Sequence, residues 1–294
     1  MVSKIKDTDS VKELFEGWEE TMIWSCLQGI MGEIYALRPN DVPRPNNPSH
    51  HEAKPRSAMA VLGDFCFFAG EANADLVKYR PPRCGTGLMN VPWRLESGLM
   101  SPEAASGHSD MIIMVPQNQQ WAELIEDIYR GSARKTERYA IKKEADVFDR
   151  AYLKQVVENI NRISQQDDVL RSIDETLYRQ CKEQSWSRDL VSQFASYDMY
   201  SRYGLGFVIL KDGEIISGAS SYSAYRQGIE IEIDTREDYR RQGLAYVCGA
   251  RLILECLDRG LYPSWDAQNK ASVALAEKLG YHYSHTYTAY EIMV

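Results

Sequence analysis

Features that mark several common protein classes are missing from this sequence of 294 residues. Its six cysteines are scattered without a CxxC pair, so neither a zinc site nor a disulfide framework is indicated. None of the five histidines has the spacing of metal ligands, and we expect no metal. No stretch approaches the ~18 uninterrupted apolar residues of a membrane-spanning helix. Because the first residues also lack the apolar core of a secretory signal, we expect a cytoplasmic protein with reduced, buried thiols.

A block of Lys and Arg is missing too, and the formal net charge is −8. We therefore expect neither nucleic acid nor a membrane surface as a partner, while a cationic or amine-bearing substrate suits an acidic chain better. What is present is ordinary for a globular protein: 44% hydrophobic and 26% charged residues exclude wholesale disorder. The length favours two domains over one.

Residues 1–164 are predicted to form the smaller, N-terminal α/β domain, in which no group of residues indicates chemistry. Residues 38–56 and 79–107 are rich in Pro, Gly or Asn and are predicted to be irregular. The segment 22–36 is compatible with a helix or a strand. The remaining predicted elements are helices at 10–19, 117–129 and 147–163, and strands at 57–70, 110–115 and 136–142.

A polar stretch at 164–168 marks the predicted boundary with the second domain, 165–294. Here three strands, 206–211, 214–222 and 229–235, follow one another without a helix, which predicts an antiparallel meander. Asp212-Gly213 is the dipeptide that best favours a tight hairpin turn between the first two strands. The other predicted elements are helices at 174–183, 243–258 and 269–279, and strands at 262–267 and 281–292.

The junction between the third strand and its helix reads Arg240-Arg241-Gln242-Gly243-Leu244-Ala245. Successive backbone N–H groups at a helix N-terminus, beside a glycine and two arginines, form a ready site for a phosphate group. Taken alone, the same six residues are compatible with an ordinary turn that carries solvated arginines. Their place, after a three-strand meander and before strand, helix and strand, favours the phosphate site.

In this context the chain resembles the GNAT superfamily of acyl-CoA-dependent N-acyltransferases. Arg240, Gly243 and Ala245 match the family's phosphate-loop pattern, although the proline that commonly precedes the loop is missing. Asn269 and the Leu279-Gly280-Tyr281 run match the start and end of a later family helix. The run from Leu261 to Asn269 looks more narrowly like the subfamily of the zwittermicin A resistance acetyltransferase.

The resemblance implies an α/β fold whose C-terminal sheet is mixed, mostly antiparallel, and has helices on both faces. It implies acetyl-CoA as a co-substrate, with its pyrophosphate on the amides of the phosphate loop and its pantetheine along the edge of the third strand. The helix that begins near Asn269 would also reach the pantetheine. The implied cofactor-binding residues are Ile233, Thr235, Arg240, Arg241, Gln242, Gly243, Leu244, Ala245, Asn269 and Ser272.

Three acidic residues, Glu230, Glu232 and Asp234, alternate with isoleucines along the third strand. Converging carboxylates raise one another's pKa towards neutrality and bind a cationic amine, as a catalytic base requires. The alternative is a solvent-facing acidic row, which is the commoner use of such alternation. Because this strand is central in the family fold, we predict Glu232 as the base, ahead of Asp234 and Glu230.

Many GNAT enzymes carry a tyrosine, the acid for the leaving thiolate, at the position of Ala276. The leading prediction is acetyl transfer from acetyl-CoA to a primary amine of a small molecule. The alternative is a non-catalytic acyl-CoA-binding or regulatory protein, which the missing tyrosine favours. The N-terminal domain is expected to help form the substrate cleft or a homodimer.

Overall fold

The computed structural model of the protein describes residues 1–37, 54–81, 111–158 and 169–293. Two β-sheets organise these residues. The strands are β1 (Val2–Lys4), β2 (Glu33–Leu37), β3 (Ser57–Leu62), β4 (Phe65–Gly70), β5 (Met111–Pro116), β6 (Ala133–Ile141), β7 (Val169–Ser172), β8 (Gly206–Lys211), β9 (Glu214–Tyr225), β10 (Gly228–Thr235), β11 (Tyr262–Ser264), β12 (Asp266–Ala267) and β13 (Tyr283–Met293). The helices are α1 (Thr21–Leu27), α2 (Ala74–Lys78), α3 (Gln119–Tyr129), α4 (Arg150–Glu158), α5 (Glu175–Glu183), α6 (Tyr197–Tyr203), α7 (Leu244–Asp258) and α8 (Lys270–Lys278).

The first sheet has eight strands in the order β1-β2-β3-β4-β5-β13-β6-β12. Strand β13 lies in its interior and pairs antiparallel with both β5 and β6. The sheet therefore takes strands from both sides of residue 165, while the division of the chain at that residue stays a prediction. One face of the sheet packs on α2 and α3, where Trp121 and Phe68 are fully buried.

The second sheet has five strands in the order β11-β10-β9-β8-β7 and is antiparallel except for the β10–β11 pair. This arrangement confirms the predicted α/β fold and the meander. Asp212 and Gly213 both have positive φ, at 53° and 82°, as a tight hairpin turn requires. Helix α7 covers one face of the sheet with buried apolar residues, which include Val247 and Leu252. Helix α1 and the first sheet cover the other face.

Several predicted elements differ in the structure. The predicted strand 57–70 is the hairpin β3–β4, because the chain turns at Gly63 with a φ of 56°. The predicted strand 262–267 is divided between β11 in the second sheet and β12 in the first. In place of a helix at 10–19, two 3₁₀ turns cover Thr8–Ser10 and Lys12–Phe15.

The segment 22–36, which was compatible with helix or strand, holds most of α1 and the start of β2. Strand β7 and helix α6 were not predicted. Irregular regions were predicted at 38–56 and 79–107; their residues 38–53 and 82–107, and the boundary at 164–168, lie outside the described residues. Within the part of the chain that is described, no helix combines the length and the apolar character needed to cross a membrane.

Candidate active site

A cleft opens where β10 and β11 separate. The two strands pair in parallel over three residues only, ending at Glu230 opposite Ser264. The chain then leaves for the first sheet, where Asp266 pairs with Ala140 of β6. Among the described residues, positions 231–235 of β10 thus have a strand partner on the β9 side and none on the other. An unpaired strand edge offers alternating N–H and C=O groups to an extended ligand that contains amides. The predicted residues Ile233 and Thr235 lie on this edge.

The cleft leads to the N-terminus of α7. The N-cap of this helix is Gly243, which has a φ of 82° and provides no side-chain cap. By contrast, α3, α5, α6 and α8 are each capped by an Asn, Asp or Ser side chain that accepts a backbone N–H. The first amides of α7, which include those of Leu244 and Ala245, are therefore left without a side-chain acceptor and are suited to an anion.

The residues just before α7 hold the loop against the end of β10. Arg240 Nε donates a hydrogen bond of 3.2 Å to the backbone oxygen of Thr235, and Gln242 Nε2 donates one of 3.3 Å to that of Asp238. Arg241 has a φ of 62°, in a region that a residue with a side chain seldom adopts. Such conformations are concentrated at ligand sites, where the surrounding structure enforces them. The exposed loop places two arginines beside an uncapped helix N-terminus.

The acidic and apolar residues of β10 point to opposite faces of the sheet, as predicted. Ile229 and Ile231 are buried, and Ile233 lies on the α7 side, close to Gly249. The acidic residues face α1 and the first sheet. Glu230 is only 3% exposed there; its Oε2 accepts a hydrogen bond from Thr21, and its Oε1 has no hydrogen-bond partner in the described part of the chain.

Burial raises the pKa of all three carboxyl groups. The pKa of Glu232 is raised to about 8, first by burial and then by the charges of Asp189 and Asp234, against the opposing effect of Arg138. The pKa of Asp234 is raised by burial, although the backbone N–H of Thr235 and the charge of Arg240 oppose the shift. A group with a pKa near 8 exchanges its proton readily at neutral pH, as a general base must.

The innermost carboxyl group, Glu230, has an acidic neighbour that the sequence did not indicate. Burial raises the pKa of Glu230. Burial and the charge of Glu230 both raise the pKa of the buried Glu20. The positive charge of Lys143 opposes both shifts. Since two neighbouring buried carboxylates repel each other, this pair is expected to retain a proton at neutral pH.

A second cluster that the sequence did not indicate supports the acidic face from the first sheet. Arg138 Nε donates to Asp266 Oδ1 at 2.6 Å, and the Tyr287 hydroxyl donates to Asp266 Oδ2 at 2.7 Å. Burial disfavours the charged form of Arg138. Asp266 and Tyr287 outweigh this effect, and the pKa of Arg138 is raised. These residues are far apart in sequence and follow no motif, so only the sheet pairing brings them together.

The two predicted residues of α8 have structural partners. Asn269 is its N-cap, as predicted: the Oδ1 atom accepts the N–H of Ser272 at 3.0 Å. Ser272 Oγ accepts a hydrogen bond of 3.1 Å from Trp265 Nε1, at the point where β11 ends. Ala276 is completely buried and offers no proton donor. In the described part of the chain, no group of His, Cys, Asp or Glu could hold a metal ion.

Comparison with known proteins agrees with this arrangement. A GCN5-related N-acetyltransferase-like protein from Streptococcus suis 89/1591 is similar in crystal structure, with 41% sequence identity and a TM-score of 0.78 over 98% of each chain. An uncharacterised N-acetyltransferase of Bacillus subtilis, YdfB, is 28% identical over 199 residues, or 59% of this chain and 73% of that protein. A Drosophila protein shares only the fold, at 11% identity and a TM-score of 0.54, over 99% of this chain and 98% of its own. The sequence profile of the GNAT acetyltransferase family matches residues 12–290, so the chain belongs to that family.

Proposed function

We propose that this protein transfers an acetyl group from acetyl-CoA to a primary amine of a small molecule. The observation that carries the proposal is the open edge of β10 where it separates from β11, on a strand that carries three buried or half-buried carboxyl groups and leads into an uncapped helix N-terminus. Membership of the GNAT family supports acyl transfer. Acetyl-CoA as the acyl donor and a primary amine as the acceptor are part of this proposal.

The residues around the cleft fit the parts of acetyl-CoA. The amides that start at Gln242 and continue into α7 would hold the pyrophosphate, with Arg240 and Arg241 adding positive charge. The open edge at 231–235 would pair with the pantetheine amides as an added strand would. Asn269 and Ser272 would contact the same arm from α8. When bound, acetyl-CoA supplies an acetyl group already activated as a thioester.

The acidic face supplies the base. A protonated amine cannot attack a thioester, so its proton must pass to an acceptor as or before the bond forms. Glu232 is half-buried on the face opposite α7, and its raised pKa matches this task near neutral pH. Asp234 and Glu230 flank it and would hold the cationic amine before its proton is lost. We assign the proton of the leaving thiol to water, because Ala276 has none to give.

A second candidate function is acyl-CoA binding without catalysis. The buried Ala276, in place of a family tyrosine, favours it. The two functions share the loop and the strand edge, and differ in what the carboxyl groups do.

Release of free CoA thiol from acetyl-CoA, measured over a panel of primary amines, separates the two functions. Acetyl transfer predicts amine-dependent release, with the acetylated amine detected by mass spectrometry. Binding without release from any amine would support the non-catalytic function. The narrower likeness to the zwittermicin A resistance subfamily, the cytoplasmic location and a homodimer stay predictions.

A further inference from the structure

A cavity of about 250 Å³ lies between the β3–β4 turn and the segment that leads into α6. Ligand pockets for drug-sized molecules usually measure ~300–1,000 Å³, so this cavity suits one small fragment. Its lining joins residues next to and in β2 and β3 of the first sheet to the segment before α6, and includes Glu33, Gly63, Gln193, Ala195 and Met199.

The lining is apolar with its one charge neutralised. Among the described residues of the lining, Glu33 alone is ionisable, and its carboxylate is bonded to Lys4 and to the Tyr35 hydroxyl. The remaining side chains are aliphatic, apart from that of Gln193. A charged group would therefore lose its hydration here without gaining a counter-ion. The fragment that fits is uncharged and mostly apolar.

Gln193 provides one unsatisfied hydrogen-bond acceptor in this lining. The residue is only 7% exposed; its Nε2 donates to Ser192 Oγ at 3.3 Å, while its Oε1 is buried without a partner among the described residues. Buried side-chain oxygens are nearly always hydrogen-bonded in folded proteins. An N–H or O–H group on a bound molecule would satisfy this one.

The cavity is linked to the candidate base through Tyr222. A Cβ atom on Gly63 would lie 2.2 Å from the Tyr222 hydroxyl oxygen and 2.6 Å from Gln193 Oε1, so both oxygens converge on one side of this glycine. Tyr222 is the extra residue of β9 at the bulge opposite Glu230 and Ile231. Burial raises its pKa, and the charges of Asp64 and Glu232 raise it further. Tyr222 thus lies between the cavity and the acidic face.

We propose that this cavity binds the remote end of the acceptor, which defines the substrate class. This inference rests on the proposed function. The acceptor is a primary amine whose amino group lies at Glu232 and whose uncharged, apolar tail extends past Tyr222. The tail ends in a hydroxyl or amide group that donates a hydrogen bond to Gln193 Oε1. Diamines are disfavoured, because the carboxylate of Glu33 in this lining is already paired with Lys4.

The test uses ω-amino alcohols of increasing length, each matched with the n-alkylamine of the same number of heavy atoms. The protein and two variants are assayed by thiol release at saturating acetyl-CoA. Gln193→Met keeps the length of the side chain and removes the acceptor. Ala195→Leu adds bulk at an exposed residue of the lining, so the fold is not disturbed. The shortest amine of each series, which cannot reach the cavity, is the internal control.

We expect one chain length at which the alcohol exceeds its alkylamine in kcat/KM by roughly 3- to 10-fold, as one hydrogen bond allows. Gln193→Met should abolish this preference. Ala195→Leu should lower kcat/KM at least tenfold for both long amines, and leave the shortest unchanged. Equal losses for short and long amines, or a preference that survives Gln193→Met, would overturn the inference and leave the proposed function standing.

A direct binding measurement distinguishes failure of the cavity inference from failure of the proposed function. Calorimetric titration of the preferred amino alcohol into the protein needs no turnover, so the cavity is tested even if no thiol is released. Binding that weakens in Ala195→Leu supports the cavity. Binding that is equal in the protein and in both variants excludes it.

Discussion

The two faces of β10 have the same backbone and opposite environments. Ile229, Ile231 and Ile233 lie on the face of α7, in a packed apolar layer. Glu230, Glu232 and Asp234 lie on the other face, where an isolated sheet would meet solvent. In this protein α1 and the first sheet cover that face, and burial raises the pKa of each carboxyl group. Alternation of acidic and apolar residues therefore indicates a solvent-facing strand only when nothing covers the acidic face.

The largest effect is expected from a substitution that removes the base from the acidic face. Glu232→Gln keeps the size and polarity of the side chain and removes its basicity. We expect kcat/KM for the amine to fall by roughly 10²–10⁴-fold, with little change in acetyl-CoA affinity. The parent profile of kcat/KM against pH should rise through about 8, the pKa of Glu232, and this limb should be absent in the variant. Glu237→Gln, at an exposed residue, is the matched control; full activity with an unaltered profile in Glu232→Gln would remove the assignment.

Truncation of a buried side chain on the apolar face should lower stability instead. Ile229 is 1% exposed, so Ile229→Ala leaves a cavity against α7 and should lower the free energy of unfolding by about 2–5 kcal/mol. Urea unfolding followed by circular dichroism measures this loss. Ile233→Ala, at a half-buried site, is the milder comparison. A smaller loss at Ile229 than at Ile233 would contradict the described packing.

Glu232 also allows the two faces to be compared through the pH dependence of stability. Its pKa is about 8 in the folded protein, against 4.5 for a free carboxyl, so the folded state binds more protons between these values. Stability contributed by the protonated group is present below pH 4.5 and is lost as the pH rises through about 8. Glu232→Gln cannot ionise, so its stability relative to the parent should increase over this window. We expect a gain on the order of 1–3 kcal/mol at pH 9, reduced by the partial exposure of the group.

That gain is measured by urea unfolding of both proteins at several pH values. Asp189 and Asp234 raise the pKa and Arg138 lowers it, so substitution of Asp189 by Asn should shrink the gain. A stability difference that does not vary with pH would show that Glu232 ionises as freely as in water.

The smallest effect is expected from a change in the phosphate loop, which belongs to neither face of β10. Gly243→Val should weaken acetyl-CoA binding at least tenfold, about 1.4 kcal/mol, because the side chain blocks approach to the amides of α7. Neither face of β10 is touched, so the carboxyl pKa values should stay as they are. Calorimetric titration gives the affinity, and thermal unfolding checks the fold. An unchanged affinity in a folded variant would remove the phosphate site.

The local elements of the second sheet could be predicted because each has a local cause. Asp212-Gly213 sets the turn, strict alternation sets β10, and periodic apolar residues set α7. The glycine before α7 and the asparagine before α8 were equally visible in the sequence. The comparisons confirm the family, while the roles of the individual cleft residues stay predictions.

Long-range pairing is what the sequence could not supply. Nothing near Arg138 indicates that it meets Asp266 and Tyr287, because these residues belong to strands that are neighbours only in the folded sheet. The burial of Glu20 against Glu230 depends in the same way on how α1 packs on β10. For the same reason the strand predicted at 262–267 was wrong: one segment supplies a strand to each sheet.

The position of β13 has a consequence for how the molecule folds. Its partners, β5 and β6, are synthesised long before it, since Ala133 pairs with Ile292 and Met111 with Met293. Until residues 283–293 have left the ribosome, the apolar strand β5 and the more polar strand β6 expose the edges that β13 will join. Contacts of this sequence separation slow folding, and exposed strand edges promote aggregation. We therefore expect chaperone dependence to be concentrated late in synthesis, and nascent chains that stop before β13 to aggregate.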